Sequence, residues 1–264
     1  MKRIIFIDVD GTIYKAHQDL IDKSIREKLK EASLHADLYL STGRCLPVLV
    51  CLGEAIDYFK GMVLSNGTIV FHDNKKISEN IIPTKDIKEL VKYSKELNCN
   101  IGLIDNHHIY VNDYTDVVEY ALYPHREEDV IDLKGYDFDL EKEYNMAWTF
   151  DKLDKVNQLE EKIPSFKFFK WGQVGSDILT MGISKATGIK NLLDYLKKVY
   201  GEVSFKTYAI GDSGNDIDMF KLVDVAISMG NGTEQAKLNA TYITDNIENE
   251  GFEKAIDKII RGEW

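Results

Sequence analysis

Two aspartates one residue apart, Asp8 and Asp10, stand at the end of the apolar run Ile4-Ile5-Phe6-Ile7 and are followed at once by Gly11. A polar strand end accounts for such a cluster, because Asp and Gly also make surface turns. So does a pair of carboxylates delivered to a reactive site. The same pattern recurs along the chain. "ADLYL" ends at "STGR" (41–44), "GMVL" at "SNG" (65–67) and "TYAI" at "GDSGND" (211–216). If these runs are neighbouring parallel strands, Asp8, Asp10, Thr42, Arg44, Asn66, Asp212, Asn215 and Asp216 project from one edge of the sheet. That edge, at the strands' carboxyl ends, is where open α/β sheets bind ligands.

Gathering several carboxylates there is costly. Two unit charges about 4 Å apart repel by about 4 kcal/mol at an effective dielectric near 20. A divalent cation relieves the conflict. An all-oxygen donor set points to Mg²⁺ over Zn²⁺, with Asp8, Asp10, Asp212 and Asp216 as candidate ligands. Gly11 lets the turn after Asp8 bring its backbone N–H groups close to an anion.

The elements that must hold these residues follow from the hydrophobic pattern. Continuous apolar runs ending in small or acidic residues read as parallel strands buried on both faces. "VAISM" before "GNG" (230–232) and "TYIT" before Asp245 add two more. Amphipathic helices lie between them: Leu20, Ile21, Ile25, Leu29 and Leu34 form one stripe, and Ile189, Leu192, Leu193, Leu196 and Val199 another. The fold class is α/β, a doubly wound, mostly parallel sheet.

Residues 83–183 read differently. "TKDIKELVKYSKELN" is a helix with Thr84 as its expected N-cap. "NIGLID" and "HIYVND" form a hairpin about Asn106. "YNMAWTF" is a strand and "KLDKVNQLEEKI" a helix, and "FKFFKW" with "DILTMG" makes a second hairpin. This is an α+β module inserted into the core, residues 1–82 and 184–264, with junctions at Pro83 and Gly182. The charged stretch 124–143 has no assignable pattern.

The chain has 264 residues, a net charge of -11 and 44% hydrophobic residues, enough for a sizeable core. The acidic balance argues against nucleic acid and anionic membranes as partners. Cys45, Cys51 and Cys99 form no CxxC pair, which fits reduced thiols. The opening "MKRIIFIDVDG" is too short in apolar residues for a signal peptide, and no segment approaches the roughly 18 apolar residues of a membrane span. The expectation is a cytoplasmic protein.

At this point the sequence resembles the haloacid dehalogenase-like (HAD) hydrolases, in particular Cof-type phosphatases with a C2B cap. "DVDGT", "STGR", "SKATG" and "GDSGND" are similar to the family's four motifs in order, and "SNG" and "VAISMGNG" to its accompanying segments. The resemblance implies Asp8 as nucleophile, Asp10 as general acid and base, and Thr42 and Lys185 holding the transferring phosphoryl group. Gly11, Gly43, Arg44, Asn66 and Asn215 then bind phosphate or substrate, and Asp212 and Asp216 lie on the metal side. Ala186 departs from the glycine that relatives often carry after the lysine.

The activity implied is Mg²⁺-dependent hydrolysis of small phosphorylated metabolites through an aspartyl-phosphate, with the cap over the cleft selecting the substrate. Two other readings stay open: a phosphomutase on the same scaffold, and a non-catalytic phosphosugar-binding regulator. The oligomeric state is not legible. Outside the motifs, His107 and His108 read as hairpin surface, since adjacent strand residues face opposite sides. Cys45 reads as a buried thiol, with a redox role beside Arg44 as the alternative. Phe166, Phe168 and Trp171 read as one cap-core stripe, with Lys167 and Lys170 facing solvent or the cleft.

Overall fold

The computed structural model describes residues 2–123, 131–201 and 204–264. The chain forms two compact units: the core, comprising residues up to Gly43, Leu49–Ser78 and Ser184–Trp264, and the cap, comprising Arg44–Val48 and Glu79–Ile183. The chain makes a short excursion into the cap unit at Arg44–Val48 and enters its long segment at Glu79.

The core sheet contains β1 (Lys2–Ile7), β2 (Asp37–Ser41), β3 (Phe59–Leu64), β4 (Ile69–His72), β5 (Lys75–Glu79), β12 (Phe205–Gly211), β13 (Val225–Ser228) and β14 (Tyr242–Ile243). Their order is β14-β13-β12-β1-β2-β3-β4-β5. The six strands from β14 to β3 are parallel, and β4 returns antiparallel to β3. The strand order reverses beside β1, which makes the β1/β12 edge the topological switch point.

The run Ile4–Ile7 is apolar without alternation because both faces of β1 are covered. Ile4 and Phe6 pack with Ile189, Leu192 and Leu196 of α5 (Lys185–Tyr200), and Ile5 and Ile7, on the other face, are equally buried. Truncating such a side chain to alanine costs about 2–5 kcal/mol.

Helix α1 spans Lys23–Ser33 and buries Ile25, Leu29 and Ala32. Its expected stripe is trimmed at both ends. Leu20 precedes the helix and Leu34 caps it, and both are exposed, as is Val199 near the end of α5. Helices α6 (Ile217–Phe220), α7 (Glu234–Asn239) and α8 (Gly251–Arg261) complete the core. Ion pairing of Lys28 with Asp257 at 2.7 Å ties α1 to α8.

The cap sheet runs β10-β11-β9-β6-β7-β8, built from β6 (Ile101–Ile104), β7 (Ile109–Val111), β8 (Ile131–Leu133), β9 (Met146–Lys152), β10 (Phe166–Lys170) and β11 (Val174–Thr180). Both expected hairpins form, and among the described strands of this sheet only β7 and β8 pair in parallel. Of the stretch without assignable pattern, residues 124–130 lie outside the described residues. The remainder supplies β8 and the core side chain Phe138.

Helix α2 (Thr84–Glu96) starts from Pro83 as N-cap, so Thr84 is the first helical residue and not the cap. With α4 (Leu153–Lys162), α2 packs on the sheet face that carries Leu103, Ala147, Phe166, Phe168 and Ile178. The opposite face carries Ile104, Met146, Trp148 and Leu179, with Val118 of α3 (Asp116–Leu122), Cys45 and Val48. Trp171 packs here, away from Phe166 and Phe168. The expected single stripe is thus split between faces, because positions an odd number apart on an extended segment point to opposite sides.

Lys170 pairs with Glu160 at 2.6 Å, and the Lys167 amine lies 4.4 Å from the Phe169 ring centre. No helix among the described residues is long and apolar enough to cross a membrane.

Candidate active site

Register builds the site. Ile7 of β1 lies beside Ile210 of β12, so Asp8 and Asp212 follow the ends of two adjacent parallel strands. The Asp8 N–H donates to the Ile210 carbonyl at 3.0 Å, which fixes the backbone of the first residue past the strand. The chain then turns on the Val9 carbonyl, which accepts from the N–H groups of Thr12, Ile13 and Tyr14. Gly11 has φ +73°, and a Cβ there would lie 2.2 Å from Asp212 Oδ2. Only glycine allows both the turn and the approach of this carboxylate.

Lys185 is the first residue of α5, after the N-cap Ser184. A cation at a helix N-terminus opposes the helix dipole. It stays because its ammonium, fully buried, contacts Asp8 Oδ1 and Asp216 Oδ1, each at 2.6 Å. Asp216 Oδ2 accepts from the N–H groups of Asp212 and Ser213, both at 2.9 Å. The α5 N-terminus is placed by contact with the "SNG" turn. A Cβ on Gly67, φ +98°, would lie 2.1 Å from the Ser184 carbonyl oxygen. Asn66, also left-handed and fully buried, donates its N–H to the Thr42 carbonyl at 2.9 Å, and its Oδ1 accepts from Asn215 Nδ2 at 2.9 Å. Thr42, Asn66 and Asn215 therefore form one chain across three strand ends.

Carboxylate oxygens of Asp8, Asp212 and Asp216 lie within 4.8 Å of one another. Lys185 is the only cation in contact with this group among the described residues. The shortage of positive charge shows in protonation. Burial, opposed by Lys185 but reinforced by Asp216, Asp212 and Asp10, holds the Asp8 carboxyl well above the usual range. Burial and the Asp216 charge push Asp212 up to about 7. Burial alone would lower the Lys185 pKa, but Asp216 and Asp8 raise it instead, so it stays charged. A hard divalent cation suits this donor set: all oxygen, strongly anionic and under-compensated.

The structure does not bring every expected residue into the triad. The Asp10 side chain is exposed and is not one of the three converging carboxylates, although its charge acts on both Asp8 and Asp212. Gly43 is the last residue of its core segment, and Arg44 belongs to the cap unit, where Nη1 donates to the Val48 carbonyl at 2.7 Å.

Cys45 is buried in the cap core and burial pushes its thiol up to about 12, so a reactive thiolate is not available. His107 and His108 are exposed hairpin residues whose N–H groups both donate to Asp105 Oδ1 at 2.7 Å. Three contributors lie inside the quoted motifs without a role assigned from sequence: Thr12, whose hydroxyl approaches Asp8 Oδ2 at 3.4 Å; Ser213, which donates to Asn215 Oδ1 at 2.7 Å; and Asn231, whose Nδ2 donates to the Gly11 carbonyl at 2.8 Å. The only sequence signal for Asn231 is its place in "GNG".

The chain belongs to the haloacid dehalogenase-like hydrolases, a family that matches residues 5–256. YkrA of Bacillus subtilis is 28% identical to it over 267 residues, covering 97% of each chain. The 5-amino-6-(5-phospho-D-ribitylamino)uracil phosphatase YcsE of the same bacterium is 26% identical, over 96% of this chain and 94% of that one. The fold matches the subclass IIB sugar phosphatase BT4131 with a TM-score of 0.86 at 24% identity, covering 98% of this chain and 99% of the other. The mostly parallel α/β core with an antiparallel cap module inserted in sequence is the subclass IIB fold, and the class that family and fold define is a HAD-type phosphatase.

Proposed function

We propose that this protein is a Mg²⁺-dependent phosphatase that hydrolyses a small phosphorylated metabolite through an aspartyl-phosphate on Asp8. The observation that carries the reading is the buried triad Asp8, Asp212 and Asp216, with a single buried lysine bridging two of its members. A mere phosphate binder has no use for a nucleophilic carboxylate at its centre.

Asp8 attacks phosphorus with a carboxylate oxygen, and the bond from phosphorus to the ester oxygen breaks. Asp10, the exposed carboxyl of the same turn, gives its proton to the departing alkoxide. As a carboxylate it then takes a proton from the water that attacks phosphorus and releases Asp8 and inorganic phosphate. Lys185 anchors Asp8 Oδ1 and orients the other oxygen towards substrate. Thr42, Asn66, Asn215 and the N–H groups of Val9 and Asp10 in the turn receive the phosphoryl oxygens as charge moves onto them. Asp8, Asp212 and Asp216 would hold Mg²⁺, whose charge would neutralise these carboxylates and the phosphoryl oxygens together.

The substrate class rests on the relatives. YcsE is named for a phosphoribitylaminouracil, and a 24% identical relative from Sulfolobus acidocaldarius for phosphoglycolate. Both are small phosphomonoesters, so we assign the same class here. The test is phosphate release across a panel of phosphorylated metabolites with Mg²⁺. Turnover of at least one panel member, lost on chelation, is expected. Absence of release with every member, or product analysis showing only phosphoryl migration on a sugar phosphate, would overturn it.

A further inference from the structure

The segment "MGNGT" (229–233) has no role in the mechanism above, yet it supports both halves of the site. The Thr233 N–H donates to the Asp212 carbonyl at 2.8 Å. Asn231 Nδ2 donates to the Gly11 carbonyl at 2.8 Å, and Asn231 Oδ1 accepts from the Ile247 N–H at 2.8 Å. The chemistry of these partners fixes the amide's orientation, because a carbonyl only accepts and a backbone N–H only donates. A side chain of this length that gives one bond and takes the other must be asparagine, since aspartate can only accept.

Gly11 is thereby held on both sides. Its N–H donates to the Tyr14 carbonyl at 2.9 Å, within the turn, and its carbonyl is held from a residue 220 positions away. The residue immediately before it is Asp10, whose side chain is exposed and outside the triad. Tyr14 holds the Asp10–Gly11 peptide through the Gly11 N–H, and Asn231 holds the next peptide through the Gly11 carbonyl, so together they fix both sides of the flexible glycine beside Asp10.

We infer that Asn231 is a positioning residue for Asp10: through the Gly11 carbonyl it holds the acid at the distance from the leaving oxygen that proton transfer needs. The inference rests on the proposed role of Asp10 as general acid. It predicts a loss that depends on the leaving group. A 4-nitrophenolate departs without a proton, whereas an alkoxide needs one.

The experiment compares kcat/KM for 4-nitrophenyl phosphate and glycerol 3-phosphate in the wild type, Asp10→Asn, Asn231→Ala and Asn231→Asp, with thermal unfolding of each. Because kcat/KM stops at the first irreversible step, the later hydrolysis of the intermediate does not enter. General acids contribute about 10²–10⁴-fold, so Asp10→Asn should lose about that factor more on the alkyl ester than on the aryl ester. Asn231→Ala should show the same discrimination at about tenfold, a loose-geometry share of that range. Asn231→Asp keeps the acceptor for the Ile247 N–H but not the donor to Gly11; it should discriminate at least as strongly, and it serves where the alanine variant unfolds. If Asp10→Asn discriminates while both Asn231 variants lose equally on the two esters, the inference falls alone. Wild-type behaviour of Asn231→Asp also overturns it. If Asp10→Asn itself shows no discrimination, the acid role of Asp10 falls and takes the inference with it.

Discussion

Asp105, half-buried in the cap, and Asp8, buried in the core, are carboxylates that their surroundings treat oppositely. Burial acts to raise the Asp105 pKa, but the N–H groups of His107 and His108 and the Lys142 ammonium at 2.9 Å more than offset it and hold the carboxyl below its usual range. Asp8 has one cation, shared with Asp216, and two further carboxylates close by, and its pKa is driven up. The cap supplies donors in proportion to its charge, and the result is a hairpin with a defined shape. The core leaves its carboxylates short of positive charge, and the shortage is what a divalent cation would fill. An acid that is matched is architecture; a buried one left short of positive charge marks a candidate site.

Substitution of the two kinds of acid should separate these roles. The largest effect is expected for Asp8→Asn, which keeps shape and removes the nucleophile. It should lower kcat by about 10⁴-fold or more, as losing a nucleophile does in other covalent enzymes, while thermal unfolding stays within a few degrees of wild type. Lys185→Met comes next. It removes the one cation bridging two buried carboxylates, so about 3–5 kcal/mol of stability should be lost in denaturant unfolding, together with activity. A variant that is both stable and active would break the comparison on the core side.

Mg²⁺ should act on the core alone. Chelation should abolish turnover, and saturation to about 100 times Kd should stabilise the folded protein by about 2.7 kcal/mol, read as a shift in the unfolding midpoint. Asp212→Asn should reduce that shift. On the cap side, Asp105→Asn should cost about 1–3 kcal/mol through lost charge-assisted hydrogen bonds, without changing the response to Mg²⁺. Because the folded-state pKa of Asp105 is depressed, its contribution is present above the unfolded value of about 3.9 and is lost as pH falls through the lower folded value. Wild type should therefore lose stability on acidification more steeply than Asp105→Asn, as acid titration of cap tryptophan fluorescence would show. The smallest effect concerns Cys45, Cys51 and Cys99, all buried: none should react with iodoacetamide until the chain unfolds, and rapid labelling of Cys45 would revive a redox role.

Local pattern carries much of this molecule. The strands of the core are legible because a parallel strand covered on both faces is apolar throughout, and each run stops where the polar residues begin. The cap hairpin about Asn106 and the helices α2, α4 and α5 are legible from periods of two and 3.6. Asp8, Asp10, Thr42, Asn66, Asp212 and Asp216 are legible as residues at strand ends before any fold is drawn.

What needed the tertiary structure are relations between residues remote in sequence. That Lys185 contacts both Asp8 and Asp216 depends on the β1–β12 register and on the close approach of Gly67 to the start of α5. That Arg44–Val48 groups with the cap while the residues on either side group with the core is likewise a matter of packing. Leu20, Leu34 and Val199 continue helical stripes in sequence and are exposed, because a stripe does not say where the helix or its neighbours end. Trp171 parts from Phe166 and Phe168 because the two faces of the cap sheet pack on different helices. Asn231 carries no signal of its own, since the atoms it joins, on Gly11 and Ile247, are backbone groups that no side-chain pattern records. The sequence by itself determined which residue types stand at the strand ends, because that follows from neighbours a few positions away. Which of them meet, and at what distance, was decided by packing, because register and backbone-to-backbone approach are properties of the assembled sheet and helices.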